Sequence, residues 1–265
     1  MNRIAWMKGD FGAFAPYTRA GDDAVFEQAH IHSGERVLDA ACGAGVFALR
    51  AAQAGAEVVG IDIASNLVEA ARERAQANGL SVRFDEGDIE ALPYDNASFD
   101  TVVSQFGVIF AAHPDAATAE MARVLKTNGR VVLFCWTSNS WGGRLMQTIG
   151  RHVPAPPMPS PLAWGDEAIA RSRLASHFAS IIANHGSYKM QFPFGPTAAL
   201  DFFLDNMGPV AMAYASFPEG SQKQALRHDL EQLFQESNRG GPENWETDSD
   251  YLQIEGRKRQ HGQRS

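Results

Sequence analysis

The run Val37-Leu38-Asp39-Ala40-Ala41-Cys42-Gly43-Ala44-Gly45 constrains what this chain can fold into more than any other stretch. A short apolar segment, which reads as a strand, meets an acidic residue and then a turn of small residues with two glycines. A helix-like run from Val46 to Gly55 follows. A strand–turn–helix crossing of this kind presents bare backbone to a ligand at a helix N-terminus. Gly43 and Gly45 carry no Cβ to block that approach and reach positive φ without steric cost. The turn therefore reads as a site for a nucleotide-type cofactor.

The pattern around it alternates strand and helix. Apolar strands are predicted at 36–41, 57–61, 82–84, 101–104 and 130–136, and helices at 46–54, 66–77 and 116–125. In the second helix Leu67, Val68, Ala70, Ala71 and Ala75 share one side, with Arg72, Glu73, Arg74 and Gln76 mostly opposite. Ser65 is a plausible N-cap and Asn78-Gly79 a plausible stop. Such alternation implies an α/β fold with a doubly wound parallel sheet, whose ligands bind beyond the carboxyl ends of the strands. The second half differs. Helices are predicted at 141–153 and 166–178, separated by a stiff loop with Pro154, Pro156, Pro157, Pro159 and Pro161. Later strands are predicted at 181–192 and 251–257. The mostly helical stretch between them, about 197–239, is too long for a hairpin loop and reads as a cap over the site. The chain thus divides into an N-terminal helical lid segment (1–34), a cofactor-binding core (35–136) and a C-terminal part with the last strands and the cap (137–265).

Composition narrows the function. A net charge of −8 argues against nucleic acid as a partner, because phosphate binding wants clustered Lys and Arg. The only two cysteines, Cys42 and Cys135, fall in predicted core elements, which fits a reducing cytoplasm rather than a disulfide framework. No secretory h-region is seen near the start, and no apolar run approaches the roughly 20 residues that span a bilayer.

Three carboxylates fall where successive strands end: Asp39, Asp62 and Asp88. An acid after the second strand is placed to accept both ribose hydroxyls. One after the third can accept from an adenine amine, with Ile63 and Ile89 flanking the ring. The set suits an adenosine-bearing cofactor. Gly43-Ala44-Gly45-Val46-Phe47-Ala48 also fits a dinucleotide fingerprint with Asp62 as its ribose acid, so a nicotinamide-dependent oxidoreductase is an alternative. Asp39 opposes it, since a carboxylate beside the turn favours an ammonium-bearing ligand over a pyrophosphate.

The segments VLDAACGAG, VVGID, EGDIEALPY, SFDTVVSQF and EMARVLKTNGRVVLF stand in the order and spacing of the class I S-adenosylmethionine-dependent methyltransferases. The chain resembles that family, and within it the broad group that includes the quinone-biosynthesis methyltransferases. The likeness is good over about 35–136 and loose in the flanks. It implies a Rossmann-like, seven-stranded, mostly parallel sheet with one antiparallel strand. It also implies roles: Asp39 and the Ala41–Gly45 turn (Ala41, Gly43 and Gly45 among them) would hold the methionine part, and Asp62 the ribose. Ile63 would pack on the adenine, Asp88 and Ile89 would take its edge and face, and Gln105 would line the cofactor near the transferred methyl. Two departures stand out. Ala41 replaces a common first glycine, and Thr127-Asn128-Gly129 replaces Pro-Gly-Gly in what reads as a surface turn.

The expected reaction is in-line displacement at the sulfonium carbon, giving S-adenosylhomocysteine. The site must exclude water and hold the nucleophile about 3 Å from the methyl. A base is required only for a protonated acceptor such as a hydroxyl. His113, shortly after the fourth strand, is a candidate base, and an ordinary loop histidine is the competing reading. Phe11 and Tyr17 are candidates for closing the site against an acceptor, with plain packing as the competing reading, and Trp136 and Trp141 for an acceptor wall. The aromatic cap residues Phe192, Phe194, Phe202, Phe203, Tyr214 and Phe217 mostly read as packing; any that face the cavity would favour a small hydrophobic or aromatic acceptor. No His/Cys spacing suggests a metal. A methyltransferase acting on a macromolecule, and a non-enzymatic protein that keeps the fold, are further alternatives. Oligomerisation is left open, with Trp141 and the 154–161 region as a candidate contact.

Overall fold

Apolar strands followed by amphipathic helices wind a sheet from the middle of this chain. The structure is a computed structural model that describes residues 3–154 and 157–259. Pro156 of the proline loop, residues 1–2 of the lid segment and residues 260–265 of the C-terminal part lie outside the described residues. Helices α1 (Arg3–Trp6) and α2 (Ala15–Ala29) come first. Then β1 (Arg36–Ala40), α3 (Val46–Gln53), β2 (Glu57–Asp62), α4 (Ser65–Ala77), β3 (Arg83–Glu86), β4 (Phe99–Gln105), α5 (Pro114–Val124) and β5 (Leu125–Trp136) follow. The chain continues through α6 (Trp141–Gly150), α7 (Glu167–Leu174), β6 (Phe178–Phe192), α8 (Pro196–Asn206), α9 (Gly208–Ala215), α10 (Ser221–Ser237) and β7 (Trp245–Lys258).

The seven strands form one sheet in the order β3-β2-β1-β4-β5-β7-β6. The first five run parallel, and β7 alone is antiparallel to both neighbours. The order reverses between β1 and β4, where Asp39 sits in register with Val103. Ligand crevices open at the carboxyl edge of such a switch point.

Strand alternation sends side chains to two cores. Val37, Val132 and Phe134 face α2, α3, α4, α6 and the cap, whereas Leu38, Val131 and Leu133 face α5 and α7. The cap rests on an aromatic cluster in which Phe203, Phe234 and Trp245 meet Trp141 at centroid separations of 5.1–5.4 Å. Burying such a ring is worth about 1.5–3 kcal/mol, and edge-on pairs add about 0.5–1.5 kcal/mol. Helix α2 is tied at its end by buried Arg130, whose Nη1 and Nη2 donate to the Ala29 and His30 carbonyls at 2.8 and 2.6 Å. A cation there satisfies carbonyls that a helix C-terminus leaves open.

The structure extends several elements. Strand β7 begins at Trp245, six residues before the predicted start at 251, because its buried positions there include Thr247 and Ser249, which hydrophobic patterning does not register. Strand β5 begins at Leu125, with Asn128 at φ 65 inside the irregular stretch that read as a surface turn. The cap is three helices rather than one run, broken before Gly208-Pro209 and again ahead of Gly220.

Candidate active site

The glycine turn leaves β1 and enters α3 through three left-handed residues: Ala41 at φ 59, Gly43 at φ 53 and Gly45 at φ 78. A Cβ added to Gly45 would lie 2.9 Å from Phe84 and 3.0 Å from Ala71, so glycine lets α3 start against β3 and α4. A Cβ on Gly43 would meet nothing within 4 Å, so the backbone there faces open space. Ala41 takes the same hand without being glycine, at a cost of roughly 1–2 kcal/mol. Restoring glycine gives part of that back to the flexibility of the unfolded chain, about 0.4–1 kcal/mol. Ala41→Gly is therefore expected to raise Tm by a few degrees in a thermal melt, and a fall would contradict strain at this position.

Two buried carboxylates brace the turn. Asp39, 1% exposed, accepts from the Ala48 backbone N–H at 3.0 Å in the first turn of α3. Burial pushes its carboxyl up to about 7, against the pull of the Ala48 bond and with help from the nearby Asp62 charge. Asp62 accepts from the Gly43 N–H and the Ala64 N–H, each at 2.9 Å, and so clasps the turn from β2. Burial raises its carboxyl too, with these backbone bonds opposing. Half-buried Asp88 follows β3 and accepts from the Glu90 N–H at 2.9 Å, an Asx-type turn that presents buried Ile89 beside it. At the end of β4, Gln105 is followed by Phe106, held at φ 60 and stacked on Trp136 with planes 9° apart. An aromatic residue at positive φ is an outlier of the kind that collects at functional sites.

These groups border one cavity of about 320 Å³. Asp39, Ala41, Gly43, Asp62, Ile63 and Asp88 line one end, together with Ile89. Trp136, Trp141, Leu145, Met190, Phe203 and Val210 line the other. Phe11, Phe14 and Trp6 close over it from the N-terminal segment, with Trp6 against Phe110 at 4.5 Å. Gln105 lies between the two ends and donates to Asp22 at 2.7 Å. Gly45 braces the turn from behind and is not part of the lining.

Two expectations are corrected. His113 does not border the cavity. The short 3₁₀ turn Val108–Phe110 carries the chain away, and the His113 side chain, 78% exposed, pairs with Glu90 at 2.7 Å. It ties two loops together outside the cavity lining. Tyr17 also lies off the cavity. It packs on Phe192, Phe194 and Phe202, because helical spacing turns it toward the cap while Phe14, Thr18 and Asp22 turn inward. Of the cap aromatics named from the sequence, Phe203 alone is in the lining.

The structure also brings in residues the sequence reading missed. Asp22 and Thr18 from α2, Tyr188 from β6 and Ser249 from β7 all line the cavity. The available signal was Thr18 and Asp22 four residues apart on an otherwise ordinary helix. Among the described residues no cluster of three or more His, Cys, Asp or Glu could hold a metal, both cysteines are free, and no helix is long and apolar enough to cross a membrane.

The sheet order, the glycine turn at the switch point and the paired acids describe a Rossmann-like methyltransferase, and comparison with known proteins agrees. A family model described as a methyltransferase domain matches residues 37–129. The demethylmenaquinone methyltransferase of Deinococcus radiodurans is 46% identical over 114 residues, 42% of this chain and 46% of that one. The solved structure of the YcgJ protein from Bacillus subtilis superposes with a TM-score of 0.59 at 20% identity, covering 91% of this chain and 99% of that one, a likeness of fold. The chain belongs to the class I S-adenosylmethionine-dependent methyltransferases, and S-adenosylmethionine is its cofactor. Over nearly its whole length it is similar to an uncharacterized protein of Mycobacterium tuberculosis, 31% identical over 262 residues, 97% of this chain and 94% of that one.

Proposed function

We propose that this protein transfers the methyl group of S-adenosylmethionine to a small apolar or aromatic acceptor. The observation that carries this reading is one continuous cavity, bounded by the glycine turn at one end and by Trp136, Trp141, Leu145 and Phe203 at the other. About 320 Å³ with few polar groups is the character of a small-molecule pocket. Its donor set also fits the cofactor. Two buried acids stand ready for a ligand with an ammonium and a sulfonium, and the backbone over Gly43 leaves room for close approach.

In this reading Asp39 and the Ala41–Gly45 turn hold the methionine part and Asp62 takes the ribose. Ile63 and Ile89 sandwich the adenine, Asp88 accepts from its amine, and Gln105 stands near the methyl. Phe11 and Trp136 bound the acceptor, while Tyr17 supports the cap from behind. Residues 3–34 of the N-terminal segment and the cap close over the 35–136 core and exclude water. The cofactor brings an activated methyl group, so the protein's own task is alignment and dehydration. We place this chemistry in the cytoplasm, with no nucleic-acid partner, in keeping with the acidic balance and the free thiols.

Calorimetric titration with S-adenosylmethionine, S-adenosylhomocysteine, NADH and NADPH tests the site. Binding of the sulfur compounds alone is expected; a nicotinamide cofactor alone would make the turn a pyrophosphate site. Methyl-tritiated cofactor supplied with separated small-molecule and macromolecular extract fractions tests the acceptor class, and label confined to the macromolecules would overturn a small acceptor.

Asp39 gives a pH signature. Its carboxyl is raised to about 7 in the folded protein, above its ordinary value of 3.8. Between those values the folded state holds the proton more tightly, so this group's contribution to stability declines as pH rises toward 7 and then levels. A cationic ligand favours the ionised carboxylate. Affinity for S-adenosylmethionine should therefore rise from pH 6 to pH 8, with proton release at pH 6 seen by calorimetry in two buffers. Asp39→Asn should flatten both, and an unchanged pH profile in that variant would remove Asp39 from cofactor binding.

A further inference from the structure

One buried acid in the cavity wall has no part in holding the cofactor as described above. Asp22, 4% exposed, projects from α2 toward the ends of β4 and β6. Its Oδ1 accepts from Gln105 Nε2 and from Tyr188 Oη, both at 2.7 Å, and its Oδ2 accepts from Thr18 Oγ1 at 2.9 Å. Three elements far apart in sequence thus aim donors at a single carboxylate. An ionised carboxyl offers about four lone-pair sites, so three donors leave one for a ligand. All four residues border the cavity.

The placement of Tyr188 is built into the packing. A Cβ on Gly21 would lie 2.7–2.8 Å from the Tyr188 ring, so helix α2 accepts a glycine in its interior where the ring lies flat against it. Such a glycine costs about 0.5–1 kcal/mol relative to alanine. The other side of the ring meets Phe106 and Trp136 edge-on at 5.3 and 5.5 Å, the stacked pair that bounds the acceptor end. Burial keeps Tyr188 protonated far above the ordinary tyrosine range, so it remains a donor to Asp22. Burial raises the Asp22 carboxyl. The three hydrogen bonds pull the other way, as does Arg50 of α3, which is ion-paired with Asp23.

We propose that Asp22 is the proton acceptor for a hydroxyl substrate, phenolic or enolic, whose oxygen is methylated between Gln105 and the Phe106–Trp136 pair. This rests on the methyltransferase reading above and names its substrate class. A neutral amine needs no base, and a thiol ionises readily near neutrality. A phenol, with a pKa near 10, must lose its proton in a cavity where water is scarce. The flat aromatic wall suits a ring carrying that hydroxyl. In the step, the acceptor O–H proton passes to the open lone pair of Asp22. The oxygen forms its bond to the methyl carbon as the carbon–sulfur bond breaks and that electron pair stays on sulfur. The charge balances, because one carboxylate and one sulfonium become a neutral acid and a thioether. The proton then leaves Asp22 for solvent on product release.

The test uses full-length protein and 2-naphthol, with 2-naphthylamine and 2-naphthalenethiol as matched controls. Wild-type protein, Asp22→Asn and Tyr188→Phe are first titrated with S-adenosylhomocysteine and melted. No binding by the wild type would fail the methyltransferase reading itself, separately from this one. Calorimetry of 2-naphthol with the S-adenosylhomocysteine-saturated wild type is expected to show binding. Label transfer is expected to favour 2-naphthol, with kcat falling a hundredfold or more in Asp22→Asn at little change in KM. At saturating cofactor, kcat of the wild type should fall as pH drops through the Asp22 carboxyl. Asp22→Asn should lose that limb. Tyr188→Phe removes a donor to the ionised form and should move the limb to higher pH, which a merely structural role would not do. The proposal is overturned if 2-naphthol neither binds nor reacts, if only the amine or thiol is methylated, or if Asp22→Asn turns over within threefold of wild type. A Tyr188→Phe limb that stays in place would overturn it as well.

Discussion

Asp62→Ala is expected to weaken S-adenosylmethionine binding at least a hundredfold. The carboxylate accepts from the Gly43 and Ala64 backbone N–H groups at 2.9 Å, and in the function proposed above it takes the ribose hydroxyls. A hydrogen bond to a charged group is worth about 1.5–3 kcal/mol. Two lost to the ribose give about 3 kcal/mol or more, and every 1.4 kcal/mol is a factor of ten. The variant also frees the turn that Asp62 clasps, so the loss has a second, geometric part. Asp62→Asn separates the two, because an amide oxygen can still accept from Gly43 while the charge is gone. Calorimetry reads both variants, and an affinity within threefold of wild type in Asp62→Ala would remove this residue from the cofactor site.

Gly45→Val is expected to lower stability by about 3 kcal/mol or more. The position has φ 78, and its first added atom would lie 2.9 Å from Phe84 and 3.0 Å from Ala71. A branched side chain there combines left-handed strain with overpacking, each worth about 1–3 kcal/mol. For a chain of this size the drop in Tm should be roughly 6–12 °C. Gly43→Ala is the informative partner. It is also left-handed, at φ 53, yet its Cβ would enter open space. That variant should keep most of its Tm and lose cofactor affinity, because the added methyl stands where the ligand approaches. If the two variants behaved alike, the division of the turn into a packing glycine and a binding glycine would fail.

The parallel half of the sheet was legible because its strands are buried on both faces and its helices carry one apolar side. The first acid, the glycine turn and the second acid lie within a few dozen residues, so local order alone put them together. Asp22 and Tyr188 stand 166 residues apart, and nothing in either neighbourhood announces that β6 will lie along α2. Tyr17 shows the opposite difficulty. It is close in sequence to the residues that close the cavity, but rotation by one position on α2 sends it to the cap core. His113 was displaced by a single turn of 3₁₀ helix whose apolar residues Val108 and Ile109 seek the core. The start of β7 stayed hidden because its inward positions are filled by Thr247 and Ser249 as well as Trp245.

The cap enters the chain as one insertion between two strands that are hydrogen-bonded to each other along nearly their whole length, β6 and β7. That pairing does not depend on what joins the strands. Replacing residues 193–244 would change the part of the cavity lining formed by Phe203, Met207, Pro209 and Val210, whereas the residues proposed above to hold the cofactor all precede residue 108. Hybrid genes cut at those two boundaries are therefore a natural starting point for directed evolution of new acceptors.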